Sequence, residues 1–105
     1  MKMDAALALK RALRTDIGPF DGLVEVEMLH RRDWASITFT GERHRVRLRL
    51  EGDGAAASAD AFLDGLGDRE FDLPGHFVAD IVLMREDRED SGVTLVIEAL
   101  TVELD

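Results

Sequence analysis

The chain of 105 residues contains no cysteine and no tyrosine, one tryptophan and two prolines. Without cysteine there can be no disulfide framework, thiolate nucleophile or cysteine metal site, and a small secreted scaffold is an improbable reading. Aromatic residues make up 6% of the chain, so aliphatic side chains must fill any core. Long apolar runs are missing too. Ala5–Leu9, followed at once by Lys10 and Arg11, is too short for a signal-peptide core, and nothing approaches the roughly 20 residues that span a bilayer. A reducing interior, and by default the cytoplasm, is the expected location, with no membrane partner.

Charge is plentiful but uneven. Residues 1–29 hold four basic and five acidic groups, residues 30–50 six and two, and residues 51–105 three and fifteen, for a net charge of -9. Eleven of the thirteen basic residues are arginine, the side chain suited to planar, bidentate pairing. An acidic whole argues against general nucleic-acid binding. With 46% apolar and 33% charged residues the composition is that of a globular protein, and residues 1–105 are expected to form a single domain.

Leu9, Leu13 and Ile17 recur every four residues above Ala5 and Ala6, which predicts an amphipathic helix from about Asp4 to Thr15, with Asp4 as N-cap and Gly18-Pro19 as the stop. Three strands are expected next: Leu23–Leu29, Trp34–Thr40 and a third carrying Val46, Leu48 and Leu50 against Arg45, Arg47 and Arg49. Their loops would be His30-Arg31-Arg32-Asp33 and Gly41-Glu42, with Gly41 opening a type II′ turn. After Gly52-Asp53-Gly54, the spacing of Ala59, Phe62, Leu63 and Leu66 predicts a second helix capped by Asp53 or Ser58, and Leu73-Pro74-Gly75 predicts a turn. A second hairpin then runs from Phe77 to Glu86 and from Val93 to Leu104 around the charged segment Asp87–Gly92. A change of apolar phase past Ala99 predicts a β-bulge there. The expected fold is α+β: a two-layer sandwich with a five-stranded antiparallel sheet, two helices on one face, and element order α-β-β-β-α-β-β.

Arg45, Arg47 and Arg49, with Trp34, Arg31 and Arg32 nearby, form a candidate anion-binding face. The competing explanation is structural. In the expected register the arginines and the Glu25/Glu27 row flank a central strand of short side chains and close on each other across it, with Arg49 against Trp34 as a cation-π pair.

Asp80 and Glu98 are the acidic residues within the apolar arms of the second hairpin, and a five-residue loop would set them opposite one another as a carboxylate dyad. An enzyme would draw on these two or on His76. His30, His44 and His76 lack metal-site spacing, and no phosphate loop, nucleophile elbow or dinucleotide fingerprint occurs. Asp87, Glu89, Ser91, Gly92 and Glu98 can be laid over a calcium-loop template, but Val93–Ile97 alternates as a strand where that template needs a helix. No metal, cofactor or catalytic residue is therefore assigned.

Val78, Val82, Met84 and Val96 are expected to face away from the helices, leaving the second hairpin apolar on both faces. A domain with no third layer would cover such a surface with a partner, and these four residues are the candidate oligomer interface. The reading that follows is a non-enzymatic protein-interaction module, homodimeric through the second hairpin. Its alternatives are anion or nucleic-acid binding through the arginine face and capture of an extended partner segment. The last alternative follows from the expected element order, small size and acidity, which resemble those of type III secretion chaperones and imply a homodimer that binds an extended effector segment.

Overall fold

The computed structural model describes residues 3–104. Helix α1 spans Ala5–Ile17, and the Asp4 carboxylate accepts a hydrogen bond from the Leu7 amide at 3.2 Å, satisfying one of the free donors of the first turn. Gly18, at φ 75°, ends the helix with its amide bonded to the Thr15 carbonyl. Ala5, Ala6, Leu9, Leu13 and Ile17 make the buried stripe. Helix α2, Ala55–Leu63, buries Ala55, Ala59 and Phe62 and continues into a 3₁₀ turn at Leu66–Asp68. Its N-cap is Gly54, with no side-chain cap from Asp53 or Ser58.

Four strands form the antiparallel sheet, not five. Strand β1 (Leu23–Ala35) pairs with β2 (Thr40–Glu51), β2 with β4 (Gly92–Glu103), and β4 with β3 (His76–Glu89), in the spatial order β1-β2-β4-β3. The element order is thus α-β-β-α-β-β. The expected loop His30–Asp33 contains neither glycine nor proline and stays extended, fusing the first two expected strands into β1. The chain reverses instead at Ser36–Phe39, where the Ser36 amide bonds the Phe39 carbonyl at 2.8 Å and the Phe39 amide bonds Ser36 Oγ at 3.1 Å. Gly41 is no turn residue. It lies inside β2 between Trp34 and Val102, and a Cβ there would stand 2.0 Å from the Thr101 carbonyl oxygen. The order on which the resemblance to type III secretion chaperones rests is not the order of this chain.

One face of the sheet carries the helices. Val26, Val46, Leu48, Leu50, Val93, Leu95, Ile97 and Ala99 alternate onto it and join Leu9, Leu13, Ala59 and Phe62 in one core cluster. Arg69 ties the helices together: its guanidinium donates to the Phe62 carbonyl at 2.7 Å and to Asp16 of α1, with its charge 5.8 Å from the centre of the Phe62 ring. The principal helix contacts are α1 with β1 and α2 with β4 and β2, while β3 is met by the 3₁₀ turn. The distal half of β3 meets the helices through the Arg88–Asp60 pair at 2.7 Å, and every residue from Val82 to Glu89 is exposed.

The bulge expected near Ala99 falls elsewhere. Strand β4 keeps an unbroken register with β2 and buries 93, 95, 97, 99 and 101 in strict alternation. The irregularities lie on the edge strands, at Leu29 in β1 and at Ala79 and Met84 in β3. Edge strands tolerate bulges because one side has no ladder to disturb. No helix among the described residues is long and apolar enough to cross a membrane.

Candidate functional site

The face of the sheet away from the helices gathers most of the residues singled out by sequence. Register places them in rows across the four strands. The row nearest the hairpin tip of β1 and β2 holds Trp34, Gly41, Val102 and Phe77, and the next holds Arg32, Arg43, Leu100 and Asp80. Then come His30, Arg45, Glu98 and Val82, followed by Glu27, Arg47, Val96 and Arg85, and finally Glu25, Arg49, Thr94 and Asp87. Glu27 and Glu25 are thus direct neighbours of Arg47 and Arg49, with no strand between them. The fusion of the first two expected strands removed the spacer.

The arginine row is largely consumed by its surroundings. Arg45 pairs with Glu98 at 2.9 Å and Arg47 with Glu27 at 3.0 Å. Arg49, whose side chain is 12% exposed, is held by Glu51 at 3.1 Å, Glu89 at 3.2 Å, Thr94 Oγ1 at 2.9 Å and Ser91 Oγ at 3.2 Å. Such saturation leaves little donor capacity for a ligand. The cation-π pair of Arg49 with Trp34 does not form, because eight residues of β2 separate their positions, about 27 Å at 3.4 Å per residue. Arg31 sits on the opposite, helix-bearing face. There it donates to Asp4 at 2.9 Å and to Glu42 at 2.8 Å, tying the start of α1 to the sheet and holding the Asp4 carboxyl below the usual carboxylate range.

Arg32 and Arg43 are the exception. They face each other across β1 and β2, and neither makes a hydrogen bond or ion pair with any described residue. Together with Leu29, His30, Arg45 and Glu98 they line a surface depression of about 520 Å³. Arg43 was not among the residues singled out from sequence, because its partner could be known only after the fusion of the first two strands fixed the register.

The carboxylate dyad is not formed. Asp80 lies opposite Leu100, and Glu98 opposite Val82, two pairs further along, with Glu98 engaged by Arg45. His76 is buried with Nδ1 3.1 Å from the Pro74 carbonyl, and it reaches neither carboxylate through a hydrogen bond. His44 is 1% exposed. Its Nε2 meets Thr101 Oγ1 at 2.9 Å while Nδ1 has no partner, and burial holds its pKa below the ordinary histidine value. Asp87 and Glu89 continue β3 to a turn at Asp90-Ser91, so the calcium-template residues belong to a hairpin end. No group of three His, Asp or Glu able to hold a metal occurs among the described residues.

The expected interface residues divide. Val78 turns inward and packs against the core, since the bulge at Ala79 inverts the phase of β3. Met84 occupies the second bulge and is 52% exposed. Val96 is half-buried on the outer face between Arg47 and Arg85. Val82 points outward at 41% exposure, and Leu83, on the helix-bearing face, is 38% exposed.

No family profile matches the chain, and no curated protein does. Among solved structures, the chain is similar to one from the "Virion of native gene transfer agent (GTA) particle", at 16% identity over 93% of this chain and 95% of that one, with a TM-score of 0.47.

Proposed function

We propose that the protein is a non-enzymatic interaction module that forms a homodimer through the edge of β3. The observation that carries the reading is the run Val82-Leu83-Met84, three successive exposed apolar side chains on an edge strand. An unpaired strand edge offers backbone donors and acceptors to another strand, and apolar side chains on both faces add burial to that pairing. The bulges at Ala79 and Met84 bracket Asp80–Leu83 and so confine regular pairing to a short segment.

A second copy fits the charges beside this segment. In an antiparallel pair of β3 strands centred on Val82, the Met84 bulge takes up one residue, so Arg85 of each copy comes beside Asp80 of the other, and both residues lie on the outer face. Asp80 makes no hydrogen bond or ion pair among the described residues. Sedimentation of the wild type, Asp80→Arg, Arg85→Asp and the double reversal tests the arrangement. Each single change creates two like-charge pairs by symmetry and is expected to weaken the dimer about tenfold or more, and the double change to restore it. A wild type that stays monomeric, or a dimer indifferent to all three variants, contradicts the reading.

A further inference from the structure

The chain partners its arginines unevenly. Of eleven arginines, nine have a hydrogen-bond partner: Arg11 a methionine sulfur, Arg14 a backbone carbonyl, and Arg31, Arg45, Arg47, Arg49, Arg69, Arg85 and Arg88 carboxylates. In a chain with 22 acidic residues, finding a partner for an arginine is easy. Arg32 and Arg43 have none among the described residues, and they stand directly opposite each other on one face of adjacent strands. Directly opposed like charges destabilise a strand pair. The nearest carboxylates on that face do not relieve them: Glu98 is engaged by Arg45, and Asp80 lies two strands from Arg43, beyond Leu100.

We infer that the Arg32–Arg43 pair is a binding site for a phosphate monoester, seated in the depression formed with Leu29, His30 and Arg45. Two guanidinium groups on facing strands call for a ligand with two negative charges and more than two acceptor oxygens. A terminal phosphoryl group supplies both, whereas a single carboxylate is satisfied by one arginine. Leu29, Leu100 in the same row and Trp34 one row along offer apolar surface to the organic part of the ester. Polynucleotides fit less well, because the remainder of an acidic protein repels a long polyanion while accepting a small one. The inference is independent of self-association, since Arg32 and Arg43 lie on the β1–β2 side of the sheet and the proposed dimer edge is β3.

Trp34 lies on the same face two residues from Arg32, about 7 Å along the strand, and serves as the reporter. The test titrates the full-length protein with phenyl phosphate and inorganic phosphate, with benzoate as the carboxylate control. Vesicles containing phosphatidic acid and a short polynucleotide are added as separate arms. Saturable change in Trp34 fluorescence with phenyl phosphate, weaker with benzoate, is expected. Arg32→Gln and Arg43→Gln should each weaken it about tenfold or more, and Arg47→Gln, whose arginine is already paired, should leave it unchanged. Each of the first two variants should also raise the melting temperature of the ligand-free protein by removing the opposed charge, a readout that a purely structural role for these arginines would move the other way. Loss of binding equal in Arg47→Gln, response to vesicles or polynucleotide alone, or no saturable response would overturn the inference.

Discussion

Strands β4 and β3 are two arms of one hairpin, yet they present opposite solutions to the same packing problem. In β4 alternation is unbroken from Val93 to Thr101, neighbours lie on both sides, and the helices cover one face. In β3 two bulges break the phase, one side is unpaired, and every residue from Val82 to Glu89 is exposed. Similar aliphatic residues therefore have different consequences: Leu95 in β4 is fully buried, and Leu83 in β3 is 38% exposed. Position in the sheet, more than hydrophobicity, decides whether a leucine stabilises the subunit or remains for a partner.

The sharpest way to break this comparison is to truncate one leucine in each arm. Leu95→Ala should cost about 2–5 kcal/mol in chemical denaturation, as a cavity in the sealed core. Leu83→Ala should cost the isolated subunit about 1 kcal/mol or less and show its main effect in the dimer dissociation constant. Equal losses in the two variants would mean that β3 is as enclosed as β4.

A smaller effect contrasts the two edges. Strand β1 is pinned to α1 by Arg31 on Asp4 and by Arg14 on the Val24 carbonyl at 3.1 Å, whereas the distal part of β3 is joined to the helices by Arg88 on Asp60 at 2.7 Å. Asp4→Ala removes the cap and one partner of Arg31 together, and should lower stability by about 1 kcal/mol in denaturant melts. Asp60→Ala breaks only an exposed pair, and its melt should be nearly that of the wild type.

The third contrast is in pH. The folded-state pKa of His44 is depressed, chiefly by burial. Above the unfolded value of 6.5 the ring is neutral in both states and the stability is fully present. As pH falls below 6.5 the unfolded chain binds a proton that the folded chain refuses, and stability declines until the folded pKa is reached. Denaturation midpoints measured across that window should fall with acidity in the wild type and be flatter in His44→Gln. The same slope in both would show that His44 is not the group responsible.

Much of this was legible in the residues alone, and the missing part has a physical cause. Helix α1 announced itself by the Asp4 cap, the Leu9/Leu13/Ile17 spacing and the Gly18 stop; β2 did so by its arginine-aliphatic alternation, and the second hairpin by its two apolar arms. The first hairpin was misplaced because its reversal, Ile37-Thr38, lacks glycine, proline, asparagine and aspartate, while Gly41 nearby is there for a close backbone approach rather than a turn. That error propagated. A register set by the Ser36–Phe39 reversal and the Leu29 bulge decides which arginines meet carboxylates, and no property of one strand read alone contains it. The candidate face was therefore visible as a row, Arg45, Arg47 and Arg49, while the unpaired members, Arg32 and Arg43, emerged only from the pairing.

Amide hydrogen exchange along Asp80–Leu83 as a function of protein concentration tests the β3 edge most directly. If two copies pair there, these amides become more protected as concentration rises while those of the central strand β4 stay slow throughout. Exchange along Asp80–Leu83 that is equally fast at every concentration would contradict the account.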